Sequence, residues 1–445
     1  MSRARTARWS GAILTDKAEV RFDSGTLQRF AVDGVLPSAV VRPQSEEELS
    51  QWLREAHRQQ AKVLVWGAGE LMHIGGRPEP FDLAICTTRL RRVLDFDPEN
   101  LTVSVEAGMA LQQLQALVRA RSLWLPLDPP VSQRATVGGI VAANAFGPRR
   151  QQYGGVRDLL LGCRVVLADG TVVKTGGKTV KNVAGYDLSK LFVGSLGSIG
   201  LLSGLTLRLS PLPESARTVL AAFPEREDCC KAAGAMVRSP LSPAAVEVIS
   251  PGVLSGVTVG ELQGHANAHL LALLFEGKRQ VVAAATRAAE AELRSTAAEV
   301  RVLAAGPGGH FWRAIGELLQ GAAGRLQVRV NVPMSEVEAV LARIEQVARN
   351  RDCRAELVSH YGLGVITANI DADQGTELEV ARELAMLRTG IAAQGGSVVF
   401  TRAKKDTKDQ LDVWGARPET FDLMQRLKQE FDSRGVFAGG RFVGG

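Results

Sequence analysis

Ala135-Thr-Val-Gly-Gly139, Ala142-Ala-Asn144, Tyr153-Gly-Gly-Val-Arg-Asp158, Lys181-Asn-Val-Ala-Gly-Tyr-Asp-Leu188 and Gly194-Ser-Leu-Gly-Ser-Ile-Gly200 follow one another between Pro126 and Gly200. Glycines at this density, set between apolar runs that read as strands, let a backbone come close to a guest and aim its N–H groups at it. The guest that suits such loops is a diphosphate-bearing cofactor. Upstream, Ala39-Val-Val-Arg-Pro43 reads as a short strand closed by proline, and Ser45-Glu-Glu-Glu48 opens a helix that runs to about Gln60. Ser45 is its N-cap, Glu48 completes a capping box, and the early glutamates suit the positive helix end. A strand, Lys62-Val-Leu-Val-Trp66, then leads into the loop Gly67-Ala-Gly-Glu-Leu-Met-His-Ile-Gly-Gly76.

Two commoner phosphate motifs are excluded. Gly67-x-Gly69 begins like a dinucleotide fingerprint, but the third glycine falls at Met72 and Ile74-Gly-Gly-Arg-Pro78 prevents the helix that should follow. Gly177-Lys-Thr179 imitates the end of a Walker A loop whose first glycine would be Val172, inside a strand. Downstream, residues 101–107 alternate as a strand and 109–121 read as a helix, while Arg164–Lys174 is a hairpin turned at Asp169-Gly170. A strand at Leu205–Leu209 precedes Pro211-Leu-Pro213, where the first domain ends. The second half has helices such as Val281–Val300 and strands at Ala268–Phe275, Gln327–Val332, Gly364–Ile370 and Ser397–Thr401, a separate α+β unit.

With 445 residues, the chain predicts at least two domains, and 45% hydrophobic residues describe a globular protein. A net charge of +6 suits either an anionic ligand or a solvated surface. No basic stripe with interleaved aromatics is present, so nucleic acid is not an expected partner. The five cysteines form no C-x-x-C pair, which argues against disulfides, zinc or an iron–sulfur cluster in this chain and favours the cytoplasm. The basic start, residues 1–10, lacks the apolar run of a secretory signal, and no run reaches a membrane span. Membrane association is expected only through partners.

The order of these motifs resembles the FAD-binding domain of the vanillyl-alcohol-oxidase-like flavoproteins, the PCMH type. The resemblance implies an α+β fold: a lead-in over residues 1–33, a PCMH-type FAD-binding domain of two α+β subdomains over 34–213, and an α+β cap domain of the FAD-linked oxidases over 214–445. It gives the phosphate contacts of the first loop to Gly67, Ala68, Gly69, Glu70 and Leu71. Asp128 is set near the cofactor after a Pro-x-Asp-Pro turn. Thr136, Gly138, Gly139, Ala142 and Asn144 fall on a second segment along the pyrophosphate and flavin edge, where Gly138→Val should block the approach. Ile199 would offer its backbone to the adenine or flavin end. The family usually has Thr or Ser where Glu70 stands, and Glu70 brings a charge that a phosphate repels unless it turns away or meets a cation. Covalent relatives place a histidine near this point; His73 lies three residues on, so FAD is expected to be non-covalent.

Related 2-hydroxy-acid dehydrogenases carry His-x-Gly-Asp-Gly-Asn-x-His in the cap, whose histidines hold a divalent metal or take the hydroxyl proton. Here the equivalent is His360-Tyr-Gly-Leu-Gly-Val-Ile-Thr367, with Leu363, Val365 and Thr367 at the altered positions. One histidine alone makes a poor metal site, and none is expected. His265 and His269 lack the H-E-x-x-H pattern because residue 266 is Ala266. The candidate catalytic residues are therefore His360 and Arg329; Arg329 reads either as a carboxylate clamp or as a solvent-facing strand residue. Lys404, Lys405 and Lys408 read as a hydrated loop. From Asp412 to Gly445 the chain is similar to the FAD-binding subunits of bacterial glycolate oxidases, with Ala438-Gly-Gly-Arg441 in place of Asn-Pro-Gly-Arg. That resemblance implies a glycolate-oxidising complex with a second FAD subunit, which carries the full histidine motif, and an iron–sulfur subunit. The alternatives are a self-sufficient FAD-linked dehydrogenase of another hydroxylated substrate, or a scaffold subunit with structural FAD.

Overall fold

The computed structural model describes residues 19–131, 133–177, 186–254, 267–322 and 324–444. Residues 181–185 of the glycine-rich block and His265 lie outside the described residues.

The first half holds two sheets. In the four-stranded one, Ala39–Arg42, Leu83–Cys86 and Val63–Trp66 run parallel, and Glu19–Arg21 joins the edge antiparallel. The lead-in thus contributes a strand. The helix Glu46–Arg58 makes the crossover, and its buried Leu49, Trp52, Leu53 and Ala56 form a stripe of helical spacing against the sheet. Ser45 Oγ accepts the Glu48 N–H at 3.2 Å as the N-cap. The Glu48 carboxylate accepts from Gln44 N–H at 2.9 Å, one residue before the position a capping box predicts.

The second sheet is antiparallel, in the order Val93–Asp97, Thr102–Glu106, Leu201–Arg208, Leu160–Val166, Val172–Gly176. Its last two strands are the expected hairpin, and Gly170 turns it with φ of 84°. The short helix Val137–Ala143 packs beneath this sheet through Val137, Ile140 and Val141.

From Ser215 onward the chain builds one eight-stranded antiparallel sheet: Glu299–Leu303, Ser215–Phe223, His269–Gly277, Ala245–Ile249, Arg354–His360, Val365–Asp371, Leu326–Asn331, Ser397–Arg402. Alternation along its strands divides the sheet into two faces. Val246, Val248, Val328, Val330, Leu357, Ile366, Ala368, Val398 and Phe400 face a helix-covered core. Glu247, Gln327, Arg329, His360, Thr367 and Thr401 sit on the opposite face, where the helix Ala305–Gln320 covers only part of the surface. The rest of that face meets the first half.

The chain then returns. Val436 and Phe437 are buried in the core that holds Trp52, Leu49 and Leu83, and Phe437 bridges to Val63. No helix among the described residues is long and apolar enough to cross a membrane.

Candidate functional site

A cleft opens between the two sheets of the first half. Its walls are the loop after Val63–Trp66 (Gly67 to Met72), the helix Val137–Ala143 with its cap Thr136, the turn at Leu196–Gly197, and Arg441 from the returning C-terminus. Of the sequence-derived cofactor residues, Gly67, Ala68, Gly69, Glu70, Leu71, Thr136, Gly138, Gly139 and Ala142 all line it.

The two glycine segments are built differently. In the first loop, Gly69 has φ of 86°, and the N–H groups of Ala68, Gly69, Glu70 and Leu71 donate to no main-chain carbonyl among the described residues. Unpaired amides in a glycine turn suit a phosphate. In the second segment the amides are already engaged: Val137 N–H donates to Met109 O at 2.9 Å, Gly138 N–H to Ala107 O at 2.8 Å, and Gly139 N–H to Thr136 Oγ1 at 3.2 Å. The amides of Val137, Gly138 and Gly139 are thus committed within the protein, and these residues act as a wall. A Cβ on Gly138 would stand 2.7 Å from Ala107 Cβ and 2.8 Å from Ala107 O, so the glycine is required by strand–helix contact. The expectation that Gly138→Val would act by blocking the cofactor is corrected accordingly. A Cβ on Gly139 would meet only Thr136 Oγ1, at 3.1 Å, and otherwise the cleft.

Three expected cofactor residues are not on these walls. Asn144 is the left-handed C-cap of the helix, with φ of 47°. Ile199 faces a separate groove under the helix Phe421–Phe431. Asp128 accepts from Arg149 N–H at 3.2 Å and Arg149 Nη1 at 3.3 Å, and Arg149 reaches Glu276 of the cap sheet at 3.0 Å. Burial raises the Asp128 pKa, with Arg149 opposing it. Asp128 thus belongs to a junction between the halves. The Glu70 carboxylate accepts from Gln320 Nε2 of the cap at 3.4 Å.

A second cavity lies between the halves, and Leu71 and Ala143 belong to both cavities. Arg329, His360, Thr367, Gln327 and Thr401 project into it from the polar face of the cap sheet, and His73, Pro130 and Phe146 come from the first half. No carboxylate among the described residues lines it. Among the described residues Arg329 has no hydrogen bond or ion pair; its guanidinium stands 5.8 Å from the Phe146 ring centre, with that of Arg150 at 4.3 Å. Burial, then Arg150, lowers the Arg329 pKa. Arg329 therefore faces the cavity and not bulk solvent. Gln327 is fully engaged, donating to Leu319 O and Asn369 Oδ1 at 2.9 Å and accepting from Thr401 Oγ1 at 2.7 Å.

His360 is 4% exposed, and its Nδ1 lies 2.8 Å from both carboxylate oxygens of Glu247, which is 0% exposed. The two are direct cross-strand partners. Sequence reading did not find Glu247. The one signal was a carboxylate in the middle of Ala245-Val-Glu-Val-Ile249, where its strand neighbours are apolar and its partner lies 113 residues away.

His73 lines this cavity and its Nδ1 meets Arg402 Nη2 at 3.2 Å. Burial, with Arg402, Lys408 and Arg441 adding to it, pushes its pKa down to about 3. Lys408, expected in a hydrated loop, is 9% exposed and pairs with Asp33 at 2.8 Å. Among the described residues no group of three or more His, Cys, Asp or Glu side chains could hold a metal ion.

Residues 37–176 match the FAD binding domain family, and residues 212–442 match the C-terminal domain of the FAD linked oxidases. The chain is 26% identical over 419 residues to the glycolate oxidase subunit GlcD of Bacillus subtilis, covering 91% of this chain and 89% of that one. It is 27% identical over 434 residues to a D-lactate dehydrogenase of Anaerostipes hadrus, covering 91% and 89%. Among solved structures, p-cresol methylhydroxylase superposes with a TM-score of 0.76 at 16% identity, over 99% of this chain and 95% of that one. At that identity the likeness speaks for the fold.

Proposed function

The chain belongs to the FAD-linked oxidases and is an FAD-dependent oxidoreductase of their 2-hydroxy-acid group, and from that premise we propose that it oxidises glycolate to glyoxylate as one subunit of a larger redox complex. The observation that carries the substrate class is Arg329: a guanidinium unpaired among the described residues, in a cavity to whose walls the described residues bring no carboxylate. A planar fork without a partner suits the carboxylate of a small acid. His360, in the same cavity, suits the neighbouring hydroxyl.

FAD, when bound, supplies the two-electron acceptor. The residues that would hold it are Ala68 to Leu71 through their amides, with Gly67, Thr136, Gly138, Gly139 and Ala142 as close walls. The shared Leu71 and Ala143 join that cleft to the acid's cavity. Asn144 supports this site from behind as the C-cap of the helix Val137–Ala143, while Asp128 and Ile199 lie outside it. Non-covalent binding is part of the proposal, since the His73 ring is committed to Arg402.

Similarity to a glycolate oxidase subunit supports the complex. Its other members would be a second flavin subunit with the full histidine motif and an iron–sulfur subunit, all in the cytoplasm, with any membrane reached through them. The test is anaerobic mixing of the purified, FAD-loaded chain with glycolate. Bleaching of the flavin band is expected, and affinity capture from the native source should recover both partners. A flavin that stays oxidised with glycolate, D-lactate and other 2-hydroxy acids would overturn the substrate class. A chain that bleaches and then reduces a soluble acceptor unaided, with no partners captured, would replace the complex with a self-sufficient dehydrogenase.

A further inference from the structure

We propose that Glu247 is a positioning residue that holds His360 with its proton on Nδ1, leaving the Nε2 lone pair as the acceptor for a substrate hydroxyl proton. This rests on the reading of the cap cavity as the 2-hydroxy-acid site.

The polarity of the pair follows from its geometry. Nδ1 lies 2.8 Å from each Glu247 oxygen. An N–H shared between two acceptor oxygens satisfies both contacts. A protonated carboxyl donating to a bare Nδ1 would leave its other oxygen lone pair against the ring at the same distance, which is repulsive. Glu247 has no other hydrogen-bond partner among the described residues and is 0% exposed, so this one N–H is what compensates its charge. Desolvation raises the Glu247 pKa, and the His360 ring, next in size, opposes that rise.

The cross-strand register fixes the two backbones, and Phe146, with its ring centre 5.9 Å from the imidazole, packs beside the ring. Rotation about the ring is therefore restrained from two sides. The other charged or titratable groups near His360 are Asp128, which Arg149 neutralises, Arg150 on the far side of Phe146, and Arg329 and the neutral His73 across the cavity. None of them is hydrogen-bonded to the ring, so Glu247 alone selects the tautomer. A carboxylate behind an imidazole both orients it and stabilises its protonated form once it has taken a proton. The proton that leaves the hydroxyl oxygen thus has a defined destination. The hydrogen and its electron pair, leaving carbon as hydride, would pass to bound FAD, the two-electron acceptor the family supplies.

The experiment uses the full FAD-loaded chain, labelled with 15N-histidine, as wild type, E247Q and H360N, the last to identify the His360 signals. In wild type, nitrogen NMR in alkaline buffer should show Nδ1 protonated and Nε2 bare. The amide introduced by E247Q can donate as well as accept, so that variant should give mixed tautomers. In anaerobic stopped-flow with glycolate, E247Q should reduce its flavin about 100-fold more slowly, the order of a general-base contribution. Its pH profile should shift towards acid, while glycolate affinity and FAD content stay unchanged.

A wild-type ring protonated on Nε2 would overturn the proposal. So would E247Q with the wild-type tautomer, rate and pH profile. Should E247Q fail to fold, the wild-type spectrum decides alone. A correctly polarised ring in a holoenzyme that no 2-hydroxy acid bleaches would instead refute the proposed substrate class.

Discussion

Gly138 and Gly139 are adjacent, yet a Cβ on the first would strike Ala107 at 2.7 Å and one on the second would enter the cleft. Gly138→Val should therefore destabilise the fold by about 1–3 kcal/mol through overpacking, read by urea unfolding of the FAD-free chain. Gly139→Val should fold with a near-normal melting temperature and bind FAD at least about tenfold more weakly, a cost near 1.4 kcal/mol, read by flavin fluorescence titration. Full FAD occupancy in Gly139→Val would remove the second segment from the cofactor's walls. Arg329 separates binding from stability in the opposite way. An unpaired, partly desolvated cation costs free energy, so Arg329→Met should melt no lower than wild type. The same change should weaken 2-hydroxy-acid binding by about 10–100-fold, because a charged hydrogen bond is worth about 1.5–3 kcal/mol. A variant that binds glycolate normally would leave Arg329 without its substrate role.

The loop that ends in His73 is an element held by cations. Arg402, Lys408 and Arg441 surround the ring, with Asp33 the carboxylate among them, paired to Lys408. With its pKa near 3 against about 6.5 unfolded, the ring stays neutral in the fold. The unfolded chain then binds the extra proton between those values. The stabilisation is complete above about pH 6.5 and is lost as pH falls, by at most about 1.4 kcal/mol per pH unit. His73→Gln keeps an acceptor for Arg402 and removes the titration, so its stability should gain on wild type from pH 6.5 down to pH 4.5 in urea melts. Parallel curves would place the acid sensitivity elsewhere. Only part of this element was legible in the sequence. The strand, the glycine turn and the family order located the first loop, because local spacing and φ > 0 chemistry are written in consecutive residues. The cations around it come from residues 402–441, and Glu247 meets His360 across two strands. No periodicity records which distant strands become neighbours. The second segment lines the cleft, but its local structure was not legible: Thr136 caps a helix there, and the amides of Val137, Gly138 and Gly139 are engaged within the protein.

Across the whole molecule, the acid's cavity exists only while the cap sheet sits on the first half. The returning chain ties them at one end, through Phe437 in the first core and Arg441 at the cleft. At the other end Arg149 joins Asp128 of the first half to Glu276 of the cap, whose side chain is 3% exposed. Glu247 lies close enough to feel the Asp128 charge. Removing the cation would therefore leave Asp128 and Glu276 facing each other without compensation, with the dyad behind them. Breaking a buried pair from one side costs about 3–5 kcal/mol, and Arg149→Met should reach the lower part of that range because Arg149 keeps 23% exposure. The pH dependence supplies the sharper criterion. Asp128 already has a raised pKa, and losing Arg149 removes the largest influence opposing that rise. A carboxyl whose folded pKa exceeds its unfolded one binds its proton more tightly in the fold, so stability grows as pH falls through the folded pKa. Arg149→Met should thus recover part of its deficit relative to wild type at pH 5 compared with pH 8, in melts of the FAD-free chain. A deficit that is constant with pH would mean that Arg149 acts through packing on Trp124, 5.5 Å from its guanidinium, and not as the charge that joins the halves.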